Sequence, residues 1–176
     1  FVGARLMEQG SVQKKEVQNI FGKIKDVQDL DYVTCWYKLA AAYIQNTRSQ
    51  VCFVSTNSIC QGSQVPILWN VLYKDYSIHI NFAYQTFKWS SESSTQAAVH
   101  CVIVGFAQFN REEKRLFSTE MTSKIVSNIS PYLVEGSDTF VVAMKESLDG
   151  MPKMSFGNQP RDGGNFVIKE EEYQEI

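Results

Sequence analysis

The sequence has no excess of either charge, no long apolar run and no closely paired cysteines, and each lack excludes something. Lysine and arginine number 17 against 19 aspartates and glutamates, a formal charge of −2. No general basic footprint exists, so any nucleic-acid contact must be local or carried by segments elsewhere. The four cysteines, Cys35, Cys52, Cys60 and Cys101, lack the spacing of a zinc site or redox motif and read as reduced cytosolic thiols. No apolar run approaches the roughly 20 residues that span a bilayer, and the opening FVGARLMEQG has neither the charged nor the apolar region of a signal peptide. A soluble, cytoplasmic protein is expected. The chain starts at Phe1 rather than Met, which points to a processed chain, an excised domain or a truncated piece.

What is present argues for one compact core with an appendage. At 176 residues and 44% apolar composition the chain buries enough surface to fold without disulfides. Residues 1–30 scatter apolar positions among Gln, Lys and Glu and read as a mobile segment or short helices. Val33, Trp36, Tyr37, Ala40, Tyr43 and Ile44 recur at helical spacing, with Asp31 placed to cap a helix over 32–45. VCFV (51–54) is apolar on both faces and predicts a strand inside a covered sheet. Val65, Leu68, Trp69 and Leu72 form a second helical stripe, with Pro66 in its tolerant first turn. Strands follow at 77–84 and 97–106, and the polar loop between them is too short for a crossover, so they pair antiparallel. The fold class is α/β, an open sheet ending in an antiparallel hairpin. After the charged NREEKR segment the chain changes character, with frequent turn signals and a strand-like run over 139–144.

Few residues carry obvious chemistry. His79 and His100 fall within strands with no further ligands at metal-site spacing. Arg161-Asp162-Gly163-Gly164 lacks the lysine and preceding strand of a phosphate loop and reads as a turn. Glu170–Glu172 reads as a solvated face or a helix N-terminus. Ser55, Thr56, Asn57 and Ser58 follow a strand, where α/β sheets line a ligand crevice, but such residues also simply start loops. Phe87 and Trp89 stand one residue apart at the hairpin tip. They either cover the sheet end or offer a stacking surface to a planar ligand such as a base.

Longer strings add a resemblance. DYVTCWYKLAAAYI, VCFVSTNSICQGSQVPILW, IHINFAYQTFKWSSESSTQAAVHCVIVGF, NISPYLVEG and FGNQPRDGG, in that order, resemble the C-terminal half of the methyltransferase domain of MmeI-like bacterial enzymes. These are class I, S-adenosylmethionine-dependent DNA adenine-N6 methyltransferases of restriction-modification and phage-defence systems. The resemblance implies a partial Rossmann-like sheet. VCFV, SIHINFAY and AAVHCVIVGF correspond to the fifth, sixth and seventh strands of the order 3-2-1-4-5-7-6, the seventh being antiparallel. It also implies domains: residues 1–112 as the second half of the catalytic domain and 113–176 as an extension leading toward a target-recognition domain.

The family's motif is Asn-Pro-Pro-Phe or -Tyr, and Phe1-Val2-Gly3 resembles its end, with the Asn and both prolines not in the chain. The exocyclic nitrogen of adenine shares its lone pair with the ring. It becomes nucleophilic when acceptors draw on its N–H groups, the role the resemblance gives to the motif's Asn and a proline carbonyl. The base must also leave the duplex, at a cost of a few kcal/mol. By resemblance, Phe1 stacks on the flipped adenine as the catalytic aromatic and Phe87 contacts it from another side. Trp89 and Lys88 serve the rim or a nearby phosphate. S-adenosylmethionine is the donor in the parent enzyme, and none is expected to bind this piece alone, which should be inactive. Double-stranded DNA is the parent's partner. The open edge of VCFV is expected either to self-associate through residues 51–55 or to be covered by residues 1–30. The competing function is a noncatalytic DNA-binding or assembly module that uses the half-fold as a scaffold.

Overall fold

A computed structural model of the chain describes residues 2–89, 99–119, 122–142, 144, 150 and 151. The chain divides into two units, 1–142 and 143–176, and the fold described is that of the first.

The opening residues are ordered by short elements. A 3-10 turn at Ala4–Leu6 precedes helix α1 (Val12–Phe21), where the Ser11 side chain accepts from the Lys14 amide and Gly22 ends the helix at positive φ. Val17 and Phe21 are its buried positions, one turn apart. A second turn, Val27–Asp29, leads to helix α2 (Thr34–Tyr43), which lies within the expected 32–45. Strand β1 (Gln50–Thr56) and a 3-10 turn at Asn57–Cys60 come next. Helix α3 (Gln64–Tyr76) then buries Val65, Leu68, Trp69 and Leu72, the stripe expected of it. Ser77 closes α3 in the left-handed region.

Strands β2 (His79–Trp89), β3 (Val99–Ala107), β4 (Lys114–Phe117) and β5 (Ser123–Val126) complete one sheet of order β1-β3-β2-β4-β5. β3 is antiparallel to both neighbours, so β1 and β2 run the same way with β3 between them. This is the 5-7-6 arrangement with an antiparallel seventh strand. β4 adds in parallel to β2, and β5 pairs antiparallel with β4.

The core lies on the face covered by α2 and α3. Val102, Val104 and Phe106 of β3 oppose Ser55, Phe53 and Val51 of β1, and all three are buried. Tyr37, Phe53, Trp69 and Phe106 pack ring to ring there. Tyr37 stacks on Phe106 at 5.5 Å, and the Trp69 indole N–H donates to the Ile59 carbonyl at 2.7 Å. On the opposite face the Phe82 ring lies over Gly105, where a Cβ would stand 2.0 Å from a ring carbon, so only glycine fits beneath it. Tyr84 stacks on Phe117 with planes 4° apart at 4.1 Å.

Two irregularities in β2 set this layout: the ladder with β3 skips between Ile80 and Phe82, and again between Tyr84 and Phe87. The second keeps Phe87 on the side of Tyr84 although they are three residues apart. Strict alternation would send it to the other face.

Several expectations are corrected. Among the described residues β1 pairs with β3 alone, the open edge expected of it, while on its second face, expected to be covered, Cys52 and Val54 are exposed. Residues 2–30 add no strand to its free edge, but Val2 lines a hollow there together with Phe53 and Val54. The strand expected to stop at 84 continues to Trp89. Residues 139–142 form no strand, and β4 begins inside NREEKR, at Lys114, so the sheet continues past the change of character expected there. FGNQPRDGG and Glu170–Glu172 lie outside the described residues. Among the described residues no helix is long and apolar enough to cross a membrane.

Candidate functional site

The C-terminal ends of β1 and β2 lie at one end of the sheet with the start of β3 between them. Thr56 of β1 and Phe87 of β2 oppose the same residue, Cys101, from its two sides. Two ladder spacings separate their backbones, about 10 Å. Phe87 and Trp89 alternate onto one face, opposite Cys101 and Val99, while Lys88 points the other way, opposite His100. Phe87 is half-buried, Trp89 is 48% exposed, and the two rings sit 6.5 Å apart, tilted by 47°. The rings therefore belong to the ladder rather than to the loop of the expected hairpin tip, and they are not sealed in the interior. Phe1 lies outside the described residues, but the residues that follow it are held at this same end.

Asp31 does the holding. Asp31 as a residue is only 7% exposed, and its carboxylate accepts from the Ala4 amide at 2.7 Å through Oδ1. Oδ2 accepts from the hydroxyls of Ser58 and, at 3.4 Å, Thr56, which lie 2.9 Å from each other. The Asp31 amide donates to Gln64 Oε1 at 2.9 Å. Beside it the Tyr32 amide donates to the Val2 carbonyl at 3.1 Å. Asp31 was expected to cap the next helix with its side chain. Instead its backbone carbonyl receives the Thr34 amide and hydroxyl, and the carboxylate is turned toward the chain start.

The hydroxyls of residues 55–58 are engaged, and Ser58 also lines a cleft at this end. Ser55 Oγ bonds Tyr37 Oη at 2.9 Å, and Thr56 and Ser58 serve Asp31, so these hydroxyls build the end of β1. Sequence reasoning noticed the hydroxyl run but not the partner, because nothing local links residue 31 to residue 58.

Two hollows flank the network. A cleft of about 450 Å³ is bordered by Gly3, Arg5, Asp29, Asp31 and Ser63. An apolar one of about 380 Å³ runs along the free edge of β1, between Val2, Tyr32, Trp36, Phe53 and Val54. The Asp31 carboxylate on the cleft wall is already engaged by the Ala4 amide and the Ser58 hydroxyl.

His79 and Lys114 sit apart from this end. Burial, with Lys114 as a second cause, lowers the His79 pKa. Burial also lowers that of Lys114, whose ammonium donates to Asn128 Oδ1 at 2.6 Å. Among the described residues no three His, Cys, Asp or Glu side chains gather as a metal site.

The chain matches the family described as MmeI, DNA-methyltransferase domain, over residues 1–118. It is 43% identical over 166 residues to DNA methyltransferase A of Bacillus subtilis (strain 168), a match covering 94% of this chain and 19% of that protein. It superimposes with a TM-score of 0.91 and 41% identity on the Type IIL restriction-modification enzyme MmeI, solved in complex with DNA. That match covers 99% of this chain and 24% of the other. The chain thus spans a fifth to a quarter of the length of the relatives it matches.

Proposed function

The chain belongs to the MmeI DNA-methyltransferase domain family, and on that premise we propose that it receives the flipped base in an S-adenosylmethionine-dependent DNA adenine-N6 methyltransferase. One observation carries the reading. The segment that directly follows Phe1 is tied through Asp31 to Thr56 at the end of β1, and Thr56 and Phe87 oppose Cys101 from its two sides.

In this reading Phe1 stacks on the adenine and Phe87 meets it from the side of β2. Rings at both positions recover part of the stacking lost when the base leaves the duplex. Trp89, exposed beyond Phe87, forms the rim, and Lys88 reaches a neighbouring phosphate. S-adenosylmethionine supplies the methyl group in the whole protein. Acceptors that make N6 nucleophilic belong to the Asn-Pro-Pro of the family motif, which is not in this chain. The chain by itself is therefore inactive and binds no donor. Residues 1–112 complete the catalytic domain, and 113–176 lead toward the domain that reads double-stranded DNA. In isolation the chain self-associates through the free edge of β1 at residues 51–55.

The test is methyl transfer from labelled donor to adenine-containing duplex by the full-length protein that carries this chain. Transfer to N6 is expected. Phe87→Ala should lower kcat/KM about 5- to 150-fold, the equivalent of about 1–3 kcal/mol of base stacking. No transfer by the intact protein would favour the noncatalytic scaffold, and unchanged kinetics in the variant would remove Phe87 from the site.

A further inference from the structure

We propose that Asp31 is a positioning residue for the base-binding site, one that fixes the backbone behind Phe1 against the end of β1. This rests on the reading above only in taking Phe1 as the ring that meets the base. The geometry is independent of it. A nearly buried carboxylate joins three stretches of chain that are distant in sequence: Ala4 at the start, residue 31 ahead of α2, and Thr56 and Ser58 after β1. The neighbouring bond from the Tyr32 amide to the Val2 carbonyl pins the same segment a second time. A donor and an acceptor two residues apart on the chain start are thus both engaged, by consecutive residues 31 and 32. Such a pair fixes not only where the segment lies but which way it points as it runs back toward residue 1.

A solvent-exposed helix cap needs none of this. Hydrogen bonds to an ionised carboxylate are shorter and stronger than those between neutral groups, and removing it would leave the Ala4 amide and the Ser58 hydroxyl without this acceptor at a partly buried site. Once the pin is lost, the segment can shift by an ångström without unfolding the sheet. A misplacement of that size costs on the order of 100-fold in rate. Affinity for DNA, set mainly by phosphate contacts elsewhere, should change little.

The experiment compares Asp31→Ala, Asp31→Asn and Ser58→Ala in the full-length protein, using a duplex with 2-aminopurine at the target adenine. Asp31→Ala should lower kcat about 10- to 100-fold with KM for DNA nearly unchanged, and it should brighten the target base because stacking on the ring is looser. Asp31→Asn keeps an oxygen for the Ala4 amide and should restore most of the rate. Leu72→Ala, which opens a cavity in α3 far from the strand end, controls for lost stability. It should lower Tm while leaving kcat of the folded fraction intact. If Asp31→Ala does not fold, Ser58→Ala takes its place, with a smaller loss expected in the same direction. The proposal is overturned if the folded Asp31 or Ser58 variants match the wild type in kcat and base fluorescence, or if Asn rescues no better than Ala. Inactivity of the wild type would defeat the functional reading instead. The pin would then still be judged by whether Asp31→Ala speeds amide exchange at Ala4.

Discussion

The two faces of the sheet both carry aromatic rings, but they use them differently. On the helix-covered face Tyr37, Trp69 and Phe106 are fully buried, packed on one another, and the polar tips of Tyr37 and Trp69 each have a partner. On the other face Phe82, Tyr84, Phe87 and Phe117 remain half-buried and Trp89 is exposed, packed in pairs or over a glycine. The first face spends its rings on stability. The second keeps them available, and it is the one that holds Phe87 and Trp89 at the strand ends.

Substitutions on each face sharpen the contrast. Trp69→Ala should be the most damaging, about 3–5 kcal/mol from lost burial and an unfilled cavity, seen as a drop in Tm of about 10 °C or more. Gly105→Ala tests the opposite face. A methyl group there collides with the Phe82 ring, so a loss of about 1–3 kcal/mol in denaturant unfolding is expected. A neutral result would mean that the ring is free to swing away, and the second face would then be looser than its geometry implies.

The smallest effect concerns the cysteines. Cys52, exposed on β1, should react first with a thiol reagent, and buried Cys35, Cys60 and Cys101 last. Burial, and then the nearby Glu16, pushes the Cys35 thiol up from 9.0 to about 11. Above pH 9 the unfolded thiol loses its proton while the folded one keeps it. The contribution to stability is whole below pH 9 and fades as pH rises through about 11. Equal reactivity of all four thiols in the folded chain would erase the distinction between covered and open surface.

Much of this was legible in the residues. The stripe of α3 declares itself by spacing, and the hairpin pairing of β2 with β3 follows from the short loop between them. The long strings place β1, β2 and β3 in the order observed. What escaped is physical in origin. β2 was cut at Tyr84 because alternation breaks at Gln85 and Thr86, where the irregularity sits. β4 and β5 are four residues each, too short for a period to show. Asp31 carries the features of a cap in sequence. Only tertiary structure, which brings residues 4 and 58 to it, shows that its carboxylate serves another purpose.

The irregularity between Tyr84 and Phe87 has a consequence for how this strand can vary. One of its residues is surplus to the ladder, so losing either Gln85 or Thr86 would turn it into a plain strand with Phe87 still opposite Cys101 and still facing outward. Losing Lys88 would do the reverse and roll the last ring over to the far side. Related chains should therefore differ in length just before Phe87 and hardly ever just after it.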